Sequence, residues 1–274
     1  MTNTTSTAPY LRMIDIGKVF PGVVALDGVS FDAWAGEVHA LVGANGAGKS
    51  TLMNVLGGVI RPDSGEIHIG GQAASIHSPL DATAQGIAFV HQEMAMLPTL
   101  TVAENMHIGD FPSRAGLIDG RVVREQTEKN LRRLGCKFTP DTRVQYLSTG
   151  DRQMVEIARA LLSDPGIVIF DEPTSSLTSR EKARLFDVIH SLKAEGVTII
   201  YITHFLDEVF QICDRATVLR GGQTVGAGPM SEMTTDGIVR LMIGDVSIDE
   251  GQKPDSVTDR PLLRVHGLSR AGVI

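Results

Sequence analysis

The sequence predicts an α/β fold with a mostly parallel sheet, and three observations carry that prediction. Four short apolar runs, at residues 38–42, 86–91, 166–170 and 197–203, suit strands buried on both faces. Stretches of helical periodicity separate them, at 51–56 and 179–195 among others. The runs end in polar or glycine-rich residues, and open parallel sheets collect their ligands at the carboxyl ends of their strands.

The first run leads into Gly43-Ala44-Asn45-Gly46-Ala47-Gly48-Lys49-Ser50-Thr51. This fits G-x-x-x-x-G-K-[ST], a phosphate-binding loop, in its required setting of strand, loop and helix. The glycines let the backbone bend and approach a phosphate closely. The helix N-terminus brings its positive dipole end to the anion. In this motif Lys49 reaches the β- and γ-phosphates, Ser50 offers its hydroxyl to Mg²⁺, and Thr51 supports the α-phosphate side.

In chain order, residues 1–10 form a polar tail without the apolar core of a signal peptide. Residues 11–16 suggest an edge strand and 29–34 a second. Phe20, between them, offers an aromatic face for a base, although this stretch alone favours a core aromatic. Arg61-Pro62-Asp63-Ser64-Gly65 marks a turn, and a short strand opens at Glu66. The 86–91 run ends at Gln92, a side chain able to touch Mg²⁺ or water. From 98 to 146 the pattern turns helical, with a capping box at Thr101 and Glu104 and an amphipathic stretch at 122–134. Ser148, Thr149, Gly150 and Asp151 form a small polar loop at the start of a helix, a second potential anion site and equally an ordinary N-cap. The 166–170 run ends in Asp171-Glu172, two acids suited to holding the Mg²⁺ shell and orienting a water. The 197–203 run ends at His204. Two strands at 215–219 and 224–227 join through Gly221-Gly222, and 230–243 suggests a closing helix.

Composition narrows the class. A net charge of −7 argues against a general nucleic-acid binder, and 42% hydrophobic residues are ordinary for a globular protein. Cys136 and Cys213 form neither a metal-ligand spacing nor a disulfide framework, which fits a reducing compartment. No apolar run is long enough to span a bilayer.

With the phosphate loop, the Ser148 loop, Asp171-Glu172 and His204 in this order, residues 11–244 resemble an ATP-binding cassette (ABC) ATPase. The resemblance implies a P-loop NTPase cassette: a mostly parallel sheet core, an antiparallel β subdomain, and an α-helical subdomain at about 98–162. It assigns adenine stacking to Phe20, the Walker A loop to residues 43–51, and the Q-loop to Gln92. The signature falls on residues 147–151, with the Ser148 hydroxyl and Gly150 N–H expected at a γ-phosphate. It also implies Asp171 and Ser50 with Gln92 as metal ligands, and Glu172 as polariser of the attacking water. His204 becomes the γ-phosphate switch, joining Lys49 and Gln92 in catalysis. Two departures stand out. The signature reads Leu-Ser-Thr-Gly-Asp where Leu-Ser-Gly-Gly-Gln is usual, and Thr178 stands where the D-loop usually has Asp.

Phe20-Pro21-Gly22-Val23, His91-Gln92-Glu93 and the run from Gly150 to Ile157 are similar to bacterial monosaccharide importers of the ribose, galactose and xylose type. Those carry two cassettes in one polypeptide. Pro9, Leu11, Arg12, Met13, Ile16 and Lys18 recur with the same spacing as Pro261, Leu263, Arg264, Val265, Leu268 and Arg270. The expectation is therefore a first cassette at 11–244, a polar linker at 245–260, and at 261–274 the opening strand of a second cassette whose P-loop does not occur in this sequence. The resemblance implies ATP and Mg²⁺ and a second cassette, in cis or as a homodimer. It further implies an integral membrane permease, indirectly an external sugar-binding protein, no nucleic acid, and a peripheral place on the cytoplasmic face of a bacterial membrane. The alternatives are a cassette ATPase acting on nucleic acid or ribosomes, which the acidic charge disfavours, and a silent regulatory cassette, which an intact Lys49, Glu172 and His204 disfavour.

Overall fold

The computed structural model describes residues 8–91, 96–244 and 266. The chain divides into two units, Met1–Gly244 and Asp245–Ile274, and the architecture below is that of the first. The recurrence at 261–270 and Gln92 lie outside the described residues, His266 excepted.

In chain order the strands and helices are β1 (Leu11–Phe20), β2 (Val23–Ala33), β3 (Val38–Gly43), α1 (Lys49–Leu56), β4 (Ser64–Ile69), β5 (Gln72–Ala74), α2 (Pro79–Ala84), β6 (Ile87–Val90), α3 (Val102–His107), β7 (Ser113–Arg114), β8 (Leu117–Ile118), α4 (Gly120–Arg133), α5 (Thr149–Ala160), β9 (Ile167–Asp171), α6 (Ser179–Ala194), β10 (Thr198–Ile202), α7 (Leu206–Ile212), β11 (Arg215–Arg220), β12 (Gln223–Pro229) and α8 (Thr235–Ile243). Six strands form one sheet in the order β12-β11-β3-β10-β9-β6. Its five strands from β11 to β6 run parallel, and β12 pairs antiparallel as a hairpin with β11. A second, antiparallel sheet has the order β2-β1-β4-β5.

Burial explains the layers. Every residue of β3 and of β10 is buried, so neither strand has a wet face and both sit in the middle of the sheet. One face packs against α1 and the antiparallel sheet: Leu41, Ile169, Ile200 and Ile202 meet Leu52, Leu56, Met13 and Phe31 in one core. The other face packs against α5 and α6, where Phe170 and Tyr201 share a core with Met154, Leu185 and Ile189. A third cluster joins Ala40, Val42 and Val218 to Val209 and Ile238 of α7 and α8.

Several expectations are corrected. The first strand is not an edge: β1 is longer than expected and lies between β2 and β4, the pairing to β4 reaching across more than 45 residues of chain. Phe20 is not a core aromatic; it ends β1 with about a third of its surface exposed. The 98–146 stretch is not wholly helical, because β7 and β8 form a two-residue hairpin inside it. The closing helix begins at Thr235 with Thr234 as its cap, and Met230–Glu232 before it is a separate 3₁₀ turn following Pro229. The Thr101–Glu104 capping box forms as expected, with both reciprocal bonds present.

Candidate functional site

Strand order decides which residues meet. β3, β10 and β9 are adjacent and parallel, so their carboxyl ends lie side by side at one edge. Those ends carry the glycine-rich loop, His204, and Asp171 with Glu172. Phe20, Val23 and Val24 from the antiparallel sheet join Asn45 to Thr51, Asp171 and Glu172 around a cavity of about 430 Å³.

The loop is shaped for an anion. Gly48 is the N-cap of α1 with φ 105°, a left-handed conformation that favours glycine. It brings no side-chain cap, and the first turn of α1 holds no acidic residue. The first-turn N–H groups therefore have no partner within the helix and sit at its positive end. The Lys49 ammonium donates to the carbonyls of Gly43 at 2.7 Å and Ala44 at 3.1 Å. Burial lowers its pKa, while the Glu172 and Asp171 carboxylates pull it back up.

The acids form the opposite wall. Burial first, and the Glu172 charge second, raise the Asp171 carboxyl above the usual carboxylate range; His91 and Lys49 offset part of this. Two adjacent carboxylates held in this way gain from a nearby cation. Among the described residues no cluster of three or more His, Cys, Asp and Glu side chains is arranged as a metal site. Ser50 and Asp171 nevertheless line the same cavity, and two hard oxygen donors completed by phosphate suit Mg²⁺. Glu172 has φ 45°, in the left-handed region, a strain of about 1–3 kcal/mol that surrounding structure must hold. Its Oε1 lies 3.2 Å from His204 Nδ1, so the structure pairs these two expected site residues directly.

The signature residues stand apart from this cavity. Ser148 and Gly150 line a second hollow of about 590 Å³, with Lys137, Arg180 and Arg184. Ser148 is the N-cap of α5 and accepts from Asp151 N–H at 3.1 Å. Asp151 in turn accepts from Arg184 at 2.8 Å, which gives the signature's departing fifth residue a local partner. The Gly150 N–H donates to Glu181 Oε1 at 3.0 Å. Sequence reasoning passed over Glu181. The signal that could have found it is Thr-x-x-Glu: Thr178 and Glu181 form the capping box of α6. Thr178, read from sequence as a departure, thus performs the N-cap task that an Asp performs equally well.

The family profile described as ABC transporter matches residues 26–175, more than half of the chain. The chain belongs to the ABC transporter family. Among relatives of this ABC transporter chain, a ribose import ATP-binding protein of Rubrobacter xylanophilus is 46% identical over 96% of this chain and 53% of its own length. An arabinose import ATP-binding protein of Yersinia pestis is 45% identical over 86% of this chain and 46% of its own. The chain spans about half the length of the curated relatives it matches. In fold it is similar to a crystal structure of a nucleotide-free ATP-binding cassette from an ABC transporter, with a TM-score of 0.77 and 30% identity over 86% of this chain and all of that one. A cassette structure in its ADP conformation matches with a TM-score of 0.75, 30% identity, and coverage of 87% and 96%. The P-loop α/β cassette with separate antiparallel and helical parts is therefore this chain's fold.

Proposed function

We propose that this chain is the ATP-hydrolysing subunit of an importer, coupling Mg-ATP binding and hydrolysis to uptake of a monosaccharide through a membrane permease. One observation carries the reading: Lys49, Asp171 and Glu172 line one cavity with an uncapped helix N-terminus, and His204 bonds Glu172 at its edge. The sugar class is supported by relatives at 45–48% identity, which are ribose, galactose and arabinose import ATP-binding proteins.

On this reading the triphosphate lies along residues 43–51, its oxygens taking the first-turn N–H groups of α1 and the Lys49 ammonium. Phe20 stacks on the adenine from the antiparallel sheet. Ser50 and Asp171 are the described residues that would hold Mg²⁺, with Gln92 proposed as a third ligand, and the ion would supply neutralisation of phosphate charge. Glu172 accepts a hydrogen bond from the attacking water and orients it in line with the γ-phosphorus. His204 keeps Glu172 aimed and contacts the γ-phosphate. Most of the rate gain then comes from positioning. Ser148 and Gly150, which do not join this cavity, serve a phosphate on a second cassette, in cis or in a second copy. The remaining partners are a permease and, through it, an external sugar-binding protein. No helix among the described residues is long and apolar enough to cross a membrane, so the proposed place is peripheral, at the cytoplasmic face of a bacterial membrane.

The test compares wild type with Glu172→Gln. Turnover should disappear while Mg-ATP remains bound in calorimetry and accumulates unhydrolysed. Undiminished hydrolysis by a folded Glu172→Gln protein removes Glu172 from its role, and no heat of binding at millimolar Mg-ATP removes the reading as a whole.

A further inference from the structure

Below the Glu172–His204 pair lies a buried carboxylate that the mechanism has not used. Glu208, in the first turn of α7, is 2% exposed. Four side chains from three separate stretches converge on it. The Thr174 hydroxyl lies 2.9 Å from both of its oxygens. The Tyr201 hydroxyl donates to Oε2 at 2.7 Å and the Thr203 hydroxyl at 3.3 Å. Lys182 of α6 brings its ammonium to Oε1 at 2.6 Å. Burial, and next the Glu208 carboxylate, push the Tyr201 hydroxyl far above its ordinary range, so that it stays a donor.

The partners matter for where they stand in the chain. Thr174 is two residues past Glu172, and Thr203 immediately precedes His204. The Thr203 oxygen also accepts from the Phe205 N–H at 3.0 Å. Phe205 packs against His204 with ring centroids 4.0 Å apart, and Lys182 stands 5.3 Å over the Phe205 ring. The backbone near Glu172 has few other ties. Its N–H donates to the Ile202 carbonyl at 3.0 Å, and its own carbonyl accepts a long bond from Ser175 at 3.4 Å. A left-handed residue does not keep its conformation unless its surroundings over-determine it. The hub supplies that on both sides, one residue beyond Pro173 and one residue before His204.

We propose that Glu208 is a positioning residue for hydrolysis, fixing the Glu172–His204 geometry from beneath through Thr174, Thr203 and Lys182. This rests on the ATPase reading above. Stability alone gives no reason for a carboxylate here, because an apolar group of similar size often serves a protein interior as well as a buried ion pair. The chemistry does give one. An ionised carboxylate is an acceptor only, and all four partners are donors. A single rigid acceptor therefore ties the ends of β9 and β10 to α6, the helix that begins directly after the D-loop. The isosteric amide breaks the pattern, since its NH₂ must face one of these donors.

The experiment uses the full chain with four variants: Glu208→Gln, Lys182→Met, Thr174→Val and Thr174→Ser. Thr174→Val keeps the buried shape and deletes only the hydroxyl. Steady-state phosphate release at saturating Mg-ATP gives kcat, titration with Mg-ATP gives affinity, and the ¹³C–¹H signal of the His204 ring, assigned by its loss in His204→Gln, reports the pair without turnover. Expected for Thr174→Val and Glu208→Gln is a kcat lower by about 10–100-fold with Mg-ATP affinity changed by less than about threefold. The His204 signal should move in both, and Lys182→Met should follow in the same direction. Thr174→Ser should restore both readouts. Wild-type kcat together with an unmoved His204 signal in Thr174→Val overturns the proposal. So does a parallel loss of affinity, melting temperature and kcat, which marks a purely structural hub. If wild type neither binds nor hydrolyses Mg-ATP, the ATPase reading fails, and the His204 signal still decides whether Glu208 positions the pair.

Discussion

Glu181 offers a prediction that separates charge from shape. Its carboxylate takes the Gly150 N–H on one oxygen at 3.0 Å, and on the other the Thr178 N–H at 3.0 Å and hydroxyl at 2.8 Å. Glu181→Gln keeps the length and one acceptor oxygen but turns an NH₂ toward a donor. Losing half of a capping box costs about 1 kcal/mol. The charge-assisted bond to Gly150 adds up to about 1 kcal/mol once solvent screening at this half-buried position is allowed for. The sum is about 1–2 kcal/mol, or roughly 2–8 °C in melting temperature for a unit of this size. The pH dependence carries the sharper test. Hydrogen bonds from the Thr178 backbone and side chain hold the Glu181 pKa below its ordinary 4.5. A lowered folded-state pKa means the stabilisation is complete above pH 4.5 and fades as pH falls through the folded value. Urea melts of wild type and variant from pH 7 to pH 3 measure the gap between them, and the other carboxylates cancel in that difference. A gap of the expected size that closes below pH 4.5 is the outcome sought. The same gap at every pH, or none at pH 7, refutes the claim that an ionised Glu181 holds the start of α5 to the start of α6.

Three more tests follow from the loop and its surroundings. Gly48→Ala places a Cβ 2.8 Å from the Ala25 carbonyl and 3.0 Å from Leu26 at a left-handed φ, whereas at Gly46, also at positive φ, a Cβ meets nothing within 4 Å. Denaturant melts should show Gly46→Ala costing about 1 kcal/mol and Gly48→Ala about 2–4 kcal/mol, and equal losses would show that close packing under Gly48 is unimportant. Lys49→Met should weaken Mg-ATP binding by about 10–150-fold, the worth of one hydrogen bond to a charged group, as read by calorimetry. Phe20→Ala should weaken ATP binding by about 3–10-fold and leave the affinity for inorganic triphosphate unchanged, since only the base loses a contact; its exposure at the end of β1 predicts an unaltered melting temperature.

What could be read from sequence follows from where the determining contacts lie. β3, β6, β9 and β10 were legible because a strand buried on both faces must be apolar along its whole length, a property of the strand itself. The phosphate loop was legible because its glycines and Lys49 answer to local geometry. β1 was misjudged as an edge because its second partner, β4, is specified by pairing across a long stretch of chain and leaves no mark on β1. The start of α8 was misplaced because Met230 and Met233 continue the apolar spacing of the helix, while Pro229 and the Thr234 cap end one turn and begin another. β7 and β8 are two residues each, too short to show a period. Thr178 is the opposite case: its capping box with Glu181 is visible in the sequence as Thr-x-x-Glu, and comparison with a usual Asp at that position hides it.

The same contrast bears on how the site works. Lys49 is bonded to two loop carbonyls, Glu172 to His204, and the Gly150 N–H to Glu181. Three of the groups that the proposed mechanism uses are thus held by the protein itself, whereas the first-turn N–H groups of α1 have no partner within the helix. On the proposed reading, nucleotide binding is an exchange of partners at Lys49 and at the Glu172–His204 pair and a gain of partners at the first turn of α1. An exchange of that kind favours a ligand that replaces every bond at once. A triphosphate reaching Lys49, the first turn of α1 and the Glu172–His204 pair can do so, and a monophosphate cannot. The selectivity then comes from groups at the ends of several strands acting together, and it depends on the rigidity with which the sheet holds those ends in register.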